Sequence, residues 1–131
     1  MFMKKAISTK NSPQAIGPYS IGIEFDKFVF TSGQLGINPD DGMLVSGGII
    51  NETRQALVNL QAVLESGGSS LENVIKTTVF LRDINDFSKM NGIYSEFFHE
   101  IPPARSAVQV AALPKGAAVE IEAIAFKKMN E

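Results

Sequence analysis

Residues 102–126, PPARSAVQVAALPKGAAVEIEAIAF, hold Arg105 and Glu120 within sequence that is otherwise mostly apolar. Side chains alternate as they do in a β-strand over residues 105–112 and again over residues 119–126, which predicts two strands. Arg105 and Glu120 therefore belong to strands and not to loops. Because burying either charge alone is costly, each needs a partner, water or a ligand of opposite charge.

Arg105 and Glu120 could form an ion pair with each other, or each could serve a ligand. If the two strands formed a tight hairpin turning at Pro114 and Lys115, Arg105 would face Ile124, four residues from Glu120. That offset is ~13 Å, too far for a direct contact. In that arrangement the charges would meet only through another strand order or across a subunit boundary.

The composition predicts one globular domain over residues 1–131, with 44% hydrophobic and 20% charged residues. A net charge of −2 offers no electrostatic footprint for nucleic acid. The absence of cysteine excludes disulfides and thiolate chemistry, and the single His99 leaves too few imidazoles for a typical zinc or iron site. No apolar run is long enough for a signal peptide or a membrane span, so a cytoplasmic protein is expected.

The N-terminal part of the chain predicts a hairpin over residues 20–35. Gly33 within its second arm indicates a bulge, or the close approach of a ligand or another backbone. Ser32 could present its hydroxyl or main chain at the same place. Tyr19 either closes its loop over the sheet or lines a pocket with its hydroxyl.

Apolar residues at helical spacing predict two helices, one ending at Gly67 and one through residues 87–97. Together with the apolar strand predicted at residues 74–81, the second helix most simply forms a crossover that sets this strand parallel to the Arg105 strand. The last strand can then lie elsewhere in the sheet, and no tight hairpin is required. Asn91 on the second helix either faces solvent or reaches toward the start of the Arg105 strand.

Short motifs along nearly the whole chain resemble those of the RidA/YjgF family, the reactive-intermediate (enamine/imine) deaminases. The principal ones are PARS at residues 103–106, LP at 113–114 and VEI at 119–121. The others, in the family's order, are GPYS at 17–20, FTSGQ at 30–34, GGI at 47–49, KTTVFL at 76–81 and MN at 90–91. A set of motifs in register is far more specific than any one of them.

The resemblance implies a chorismate-mutase-like α+β fold with two helices on one side of a mixed sheet. It also implies a homotrimer whose sheets form a central barrel, with three sites in the clefts between subunits. The implied activity is hydrolysis of 2-imino acids and their enamine tautomers, such as 2-aminoacrylate or 2-iminobutyrate, to 2-keto acids and ammonia without a cofactor. The composition, charge and apolar pattern described above predict no metal and neither nucleic acid nor membrane as a partner.

By the resemblance, Arg105 would bind the substrate carboxylate with paired hydrogen bonds, which suits a planar guanidinium. Glu120 would orient and deprotonate the attacking water, or return a proton to the leaving nitrogen. The remaining predicted site residues, which would hold the water and the substrate, are Tyr19, Ser32, Gly33 and Asn91.

Ala107 is a departure from the family pattern, since many members carry cysteine two residues after this arginine. A thiol role is therefore excluded here, while Arg105 is typical of the active branch. Two alternatives stay open at this point. One is a regulatory trimer that binds a keto or imino acid without turnover; the other is a ribonuclease or translation inhibitor, which the acidic charge balance argues against.

Overall fold

The computed structural model describes residues 3–129. Within that range the chain forms seven β-strands and two α-helices. The strands are β1 (Lys5–Ile7), β2 (Gly22–Phe25), β3 (Phe28–Thr31), β4 (Gln34–Leu35), β5 (Val74–Leu81), β6 (Ala104–Gln109) and β7 (Val119–Phe126). The helices are α1 (Ile49–Ser66) and α2 (Phe87–Phe97), and neither is long and apolar enough to cross a membrane. The predicted α+β class is confirmed.

The sheet is mixed, with the strand order β1-β2-β3-β7-β5-β6 and with β4 pairing β7 beyond the end of β3. Neighbouring strands in the sheet are antiparallel, except that β5 and β6 are parallel. These two strands are joined through α2, as the predicted crossover requires. β7 pairs β3, β4 and β5, not β6. The charged strands therefore form no hairpin, and Arg105 and Glu120 are two strands apart.

Both helices pack on one face of the sheet, because each carries its apolar residues on one side. Leu57, Leu60 and Leu64 of α1 are fully buried, and so is Met90 of α2. Burial of each such side chain contributes about 1.5–3 kcal/mol before the entropy of ordering it is counted. The helix-covered face thus holds the core.

The opposite face of the sheet is open and largely apolar. Phe28 and Phe30 of β3, Val108 of β6 and Phe126 of β7 are each between 37% and 44% exposed. Phe28 and Phe126 are register partners, which places their side chains on the same face. Phe28, Phe30 and Phe126 therefore form an exposed apolar patch on this face, while Glu120 and Glu122 lie farther along β7 on the same face.

Two polar residues of α1 fix the strands beneath it. The amide nitrogen of Asn59 donates to the carbonyls of Leu35 and Ile37, at 3.1 and 2.8 Å. A carboxylate oxygen of Glu52 accepts from the Ala118 amide at 2.8 Å. Both side chains are buried, so these hydrogen bonds are sheltered from water. They hold β4 and the start of β7 in a fixed relation to the helix.

Candidate active site

A one-residue bulge lies where β3 gives way to β4. Phe30 pairs Ile124 and Gln34 pairs Ile121, so the chain advances four residues from β3 to β4 while β7 advances three. The Ala123 amide, left without a strand partner at this point, donates to the Thr31 hydroxyl at 3.0 Å. The bulge predicted at Gly33 is confirmed.

Gly33 lies directly beneath the side chain of Glu120. A Cβ atom on residue 33 would lie 2.6 Å from the carboxyl carbon of Glu120 and 2.8 Å from its Cγ. Real Cβ atoms do not approach other atoms so closely, so any other residue at position 33 would displace the carboxylate. The glycine is needed for this close approach and not for an unusual backbone angle.

The bulge and Glu120 border a cleft of about 260 Å³. Tyr19 and the loop before it form one wall, and Pro114 and Lys115 form another. The cleft continues past Ser32 toward Glu122. Four of the predicted site residues are therefore brought together here: Tyr19, Ser32, Gly33 and Glu120.

The hydroxyls of Ser32 and Tyr19 are both engaged within the chain. Ser32 Oγ donates to the Ser20 carbonyl at 2.6 Å, which ties the Tyr19 loop to the sheet. With its hydrogen used in this way, Ser32 can only accept a hydrogen bond from a ligand or water. The Tyr19 hydroxyl accepts from the Ile16 amide at a long 3.4 Å, while the side chain is 47% exposed. Its own hydrogen can still be donated into the cleft.

The carboxyl of Glu120 is easier to protonate than an ordinary glutamate. Burial raises its pKa, and the negative charge of Glu122 on the same face raises it further. A carboxylate whose pKa is raised is a stronger base, and a larger fraction of it carries a proton that it can return at a given pH.

Arg105 lies on the helix-covered face and contacts α2. Its guanidinium carbon is over the ring of Tyr94 at 4.7 Å and over the ring of Phe87 at 5.4 Å from the ring centres. Its Nη1 donates to Asn91 Oδ1 at 2.8 Å, so Asn91 reaches the arginine strand instead of solvent. Across residues 3–129 no carboxylate forms an ion pair with this half-buried cation.

Arg105 and Glu120 point to opposite faces of the sheet. Arg105 is the register partner of the buried Thr77, whereas Glu120 is the partner of Phe80, three residues farther along β5. An odd offset reverses the face. Two strand spacings and three residues also separate the Cα atoms by about 14 Å. The internal ion pair considered from the sequence is wrong, and one chain presents the predicted site as two separate groups.

Sequence reasoning did not assign a role to Tyr94, Phe87 or Glu122. The two aromatic residues and Asn91 recur at i, i+4 and i+7, which places them on one stripe of α2. This stripe could have indicated from the sequence that the two aromatic residues and Asn91 surround a polar or charged group, because an amide between two aromatic residues is unusual in a purely apolar core. Glu122 alternates with Glu120 on β7, so its presence on the same face followed from the strand period.

A family model described as endoribonuclease L-PSP matches residues 9–127. The chain belongs to this family, also called RidA/YjgF, and the resemblance found in its motifs is confirmed.

Individual relatives match along almost their whole length. A RutC family protein of Pyrococcus horikoshii is 52% identical over 126 residues, which is 96% of this chain and 100% of that protein. The 2-iminobutanoate/2-iminopropanoate deaminase of Mus musculus is 51% identical over 125 residues, 95% of this chain and 93% of the mouse protein. The crystal structure of E. coli TdcF with bound serine is 41% identical, has a TM-score of 0.90, and covers 95% of this chain and 99% of that one.

Proposed function

We propose that this chain hydrolyses 2-imino acids and their enamine tautomers to 2-keto acids and ammonia. The observation that carries the proposal is the half-buried guanidinium of Arg105, which has aromatic and amide neighbours but no carboxylate partner among residues 3–129. A cation in that setting favours an anionic ligand, and the carboxylate of a small acid matches its planar shape. The likeness to the mouse deaminase supports imino acids as the class of ligand.

The proposed active protein is a homotrimer with each site shared between two subunits. Arg105 and Glu120 lie on opposite faces of one sheet, so one chain cannot place both beside the same small substrate. The open apolar face, which includes Phe28 and Phe126, supplies a surface for association, as the family resemblance implies. Arg105 of one subunit would then complete the Glu120 cleft of its neighbour.

The chemistry needs binding, orientation and proton transfer, and it needs no resident cofactor because a protonated imine is already electrophilic. Arg105 holds the substrate carboxylate. Water adds to C2 while Glu120 accepts its proton, and the resulting carbinolamine carries the new hydroxyl. Glu120 returns a proton to the nitrogen, the C–N bond breaks as ammonia leaves, and the hydroxyl proton is lost to give the 2-keto acid.

The other cleft residues fit supporting roles. Ser32, whose hydrogen is held by the Ser20 carbonyl, would accept a hydrogen bond from the attacking water. Tyr19 would donate to the developing carbinolamine oxygen. Gly33 leaves the space in which the Glu120 carboxylate lies.

Ribonuclease activity is less well supported, despite the family's description. The cleft carries Glu120 and Glu122 close together, and the chain has a net charge of −2. Both features disfavour a phosphate backbone. The cytoplasmic location predicted from the sequence stays a prediction.

The direct test measures ammonia release from 2-iminobutyrate that a threonine dehydratase generates in the same cuvette. The protein is expected to release ammonia faster than the spontaneous reaction does. Binding of 2-oxobutyrate without faster release would instead indicate a regulatory protein. RNA cleavage that persists through purification and is lost on substitution of cleft residues would indicate a nuclease.

Gly33→Ala is expected to lower kcat/KM by about 10-fold or more while the protein stays folded, since the new methyl displaces the carboxylate that performs proton transfer. Steady-state kinetics and thermal unfolding check this. Gly92→Ala in α2 is a matched control, because a Cβ there meets no atom within 4 Å. We expect it to keep full activity and to stabilise the helix by about 0.5–1 kcal/mol.

The Gly33 effect should disappear when Glu120 is already removed. Adding Gly33→Ala to Glu120→Gln is expected to lower kcat/KM hardly further, because both changes act through the same carboxylate. Additive losses in the double variant would show that Gly33 acts by another route.

A further inference from the structure

Arg105 is held by a cradle built from one stripe of α2. We define the cradle as Phe87, Asn91 and Tyr94, which recur at i, i+4 and i+7 and face the start of β6. The two rings lie near the guanidinium carbon, and the amide of Asn91 takes one of its N–H groups. The remaining N–H groups have no carboxylate partner in the described part of the chain.

Tyr94 is itself fixed by Thr77. The hydroxyl of Tyr94 and the Thr77 Oγ1 lie 2.7 Å apart, and both residues are buried. Thr77 is also the register partner of Arg105 on the neighbouring strand. Each of the three residues therefore contacts the other two: Arg105 pairs Thr77 through the strand register, Thr77 is hydrogen-bonded to the Tyr94 hydroxyl, and the Tyr94 ring lies against the Arg105 guanidinium.

The phenol is suited to hold a cation without neutralising it. Burial raises the pKa of Tyr94, although the Thr77 hydrogen bond and the positive charge of Arg105 oppose this shift. The hydroxyl consequently stays protonated at neutral pH, so the ring offers its electron-rich face and not a phenolate charge. The positive charge of Arg105 is left for an external anion.

The cradle also reduces what binding must overcome. A free arginine side chain populates many rotamers, and fixing them at the moment of binding weakens affinity. Because Tyr94, Phe87 and Asn91 already hold the guanidinium, most of its conformational entropy is lost when the protein folds and not when the ligand binds. Such a group should improve binding of the ground-state carboxylate and of the transition state equally, which affects KM and leaves kcat unchanged.

We propose that Tyr94, anchored by Thr77, is a positioning residue that presents Arg105 to the substrate carboxylate and sets substrate affinity. This inference rests on the proposed deaminase function and adds to it the residues that determine how tightly an α-carboxylate is held. Tyr94 acts through Arg105, so it takes no part in proton transfer at C2.

The test compares Tyr94→Phe, which keeps the ring and removes the hydroxyl, with Thr77→Val, which removes the hydroxyl's partner. Each is expected to raise KM for 2-iminobutyrate and the Kd for 2-oxobutyrate by about 2- to 10-fold, with kcat within about 2-fold of the wild type. The double variant should show no further rise, because both changes break one hydrogen bond. Tyr94→Leu, which also removes the ring, should raise both constants by about 10- to 30-fold.

Thr53→Val is the matched control. Thr53 is a fully buried threonine on α1 whose Oγ1 has no hydrogen-bond partner among the described residues. Its replacement should leave KM, kcat and the Kd for 2-oxobutyrate unchanged. Circular dichroism and thermal unfolding of every variant identify any loss that comes from misfolding alone.

The outcomes separate this inference from the proposed function. A folded Tyr94→Phe or Thr77→Val protein with unchanged KM and Kd, or with only kcat lowered, overturns the positioning role while the deaminase stands. A wild-type protein that binds 2-oxobutyrate but releases no ammonia overturns the deaminase, and the Kd series still decides the positioning role. A wild-type protein that neither releases ammonia nor binds 2-oxobutyrate overturns both.

Discussion

Subunits carrying Arg105→Ala and subunits carrying Glu120→Ala, each inactive alone, are expected to regain about a quarter of wild-type activity when they are refolded together. The reason is the placement of Arg105 and Glu120 on opposite faces of one sheet. If each site takes Glu120 from one subunit and Arg105 from the next, a mixed ring contains sites with both groups intact.

The magnitude follows from counting interfaces in a closed ring. In an equal mixture, a given cleft retains Glu120 with a probability of about one half, and the neighbour facing it retains Arg105 with about the same probability. About a quarter of the sites are therefore complete. Alone, Arg105→Ala loses the carboxylate anchor and Glu120→Ala loses a proton-transfer term of about 10²–10⁴-fold, so the background is low.

The control for subunit exchange is wild type refolded with the Arg105→Ala/Glu120→Ala double variant. Without exchange this mixture keeps about half of the activity of an equal total number of wild-type subunits. With free exchange it falls to about a quarter if each site is shared by two subunits, and stays at about half if each site lies within one subunit. Activity is measured as ammonia release per total subunit, and light scattering gives the size of the assembly. If native mass spectrometry shows mixed assemblies while the control stays at about half and the single-variant mixture stays inactive, each site lies within one subunit and the shared-site proposal is wrong.

The face on which each charge lies could not be predicted from the sequence, although both strands could. Alternation over β7 gave its bounds correctly, because period-two burial is a local property of the residues. Which face a residue occupies depends on register with the neighbouring strand, and a slip of one residue reverses it. Register is set by packing across the whole sheet, so the separation of Arg105 from Glu120 appeared only in the structure.

The end of β6 was mispredicted for a related reason. Alternating residues continue to Ala112, yet the strand ends at Gln109 because its partner β5 ends at Leu81. The Gln109 side chain then accepts from the Ile84 amide at 2.8 Å, which joins β6 to the segment before α2. A strand needs a partner for its backbone groups, and the sequence of one strand does not report where the other stops.

The cradle shows where helical periodicity is informative and where it is not. The apolar spacing of α2 correctly predicted that Met90 and Tyr94 are buried. It left open whether Asn91 faces solvent, because the helix period does not say what lies beneath each position. The crossover from β5 through α2 to β6 brings Arg105 under this stripe, where a half-buried amide and a buried phenol both contact the cation. The irregularity at Gly33 could be predicted more directly, since a glycine inside a strand by itself indicates a bulge or a close approach.

Replacing Glu120 with glutamine is expected to lower kcat by about 10²–10⁴-fold and to remove the acidic limb of the pH–rate profile. A base must be ionised, so activity in the wild type should rise with pH through the pKa of Glu120. Burial and the charge of Glu122 raise that pKa, which moves the limb to higher pH than an ordinary glutamate would give. Glu122→Gln removes the like charge, and its limb should therefore shift to lower pH while most of the activity is kept.

The same raised pKa predicts that the contribution of Glu120 to stability falls as pH rises, whereas activity increases. A carboxyl whose pKa is higher in the folded than in the unfolded state binds its proton more tightly when folded, so its contribution to stability is full below the unfolded pKa and is lost as pH rises through the folded one. Glutamine mimics the protonated form at every pH. Glu120→Gln should thus unfold at a higher temperature than the wild type at neutral pH, with the difference vanishing in acid, as measured by thermal unfolding across a pH series.

The two measurements together test whether Glu120 is held in an unfavourable state for the sake of the reaction. A carboxylate kept ionised beside Glu122 and against Gly33 lowers stability, and the proposed proton transfer to or from the substrate would account for its presence there. A glutamine variant that is more stable, inactive and free of the acidic limb fits that account. A variant that keeps the wild-type limb would assign the titration to another group and remove Glu120 from the role of base.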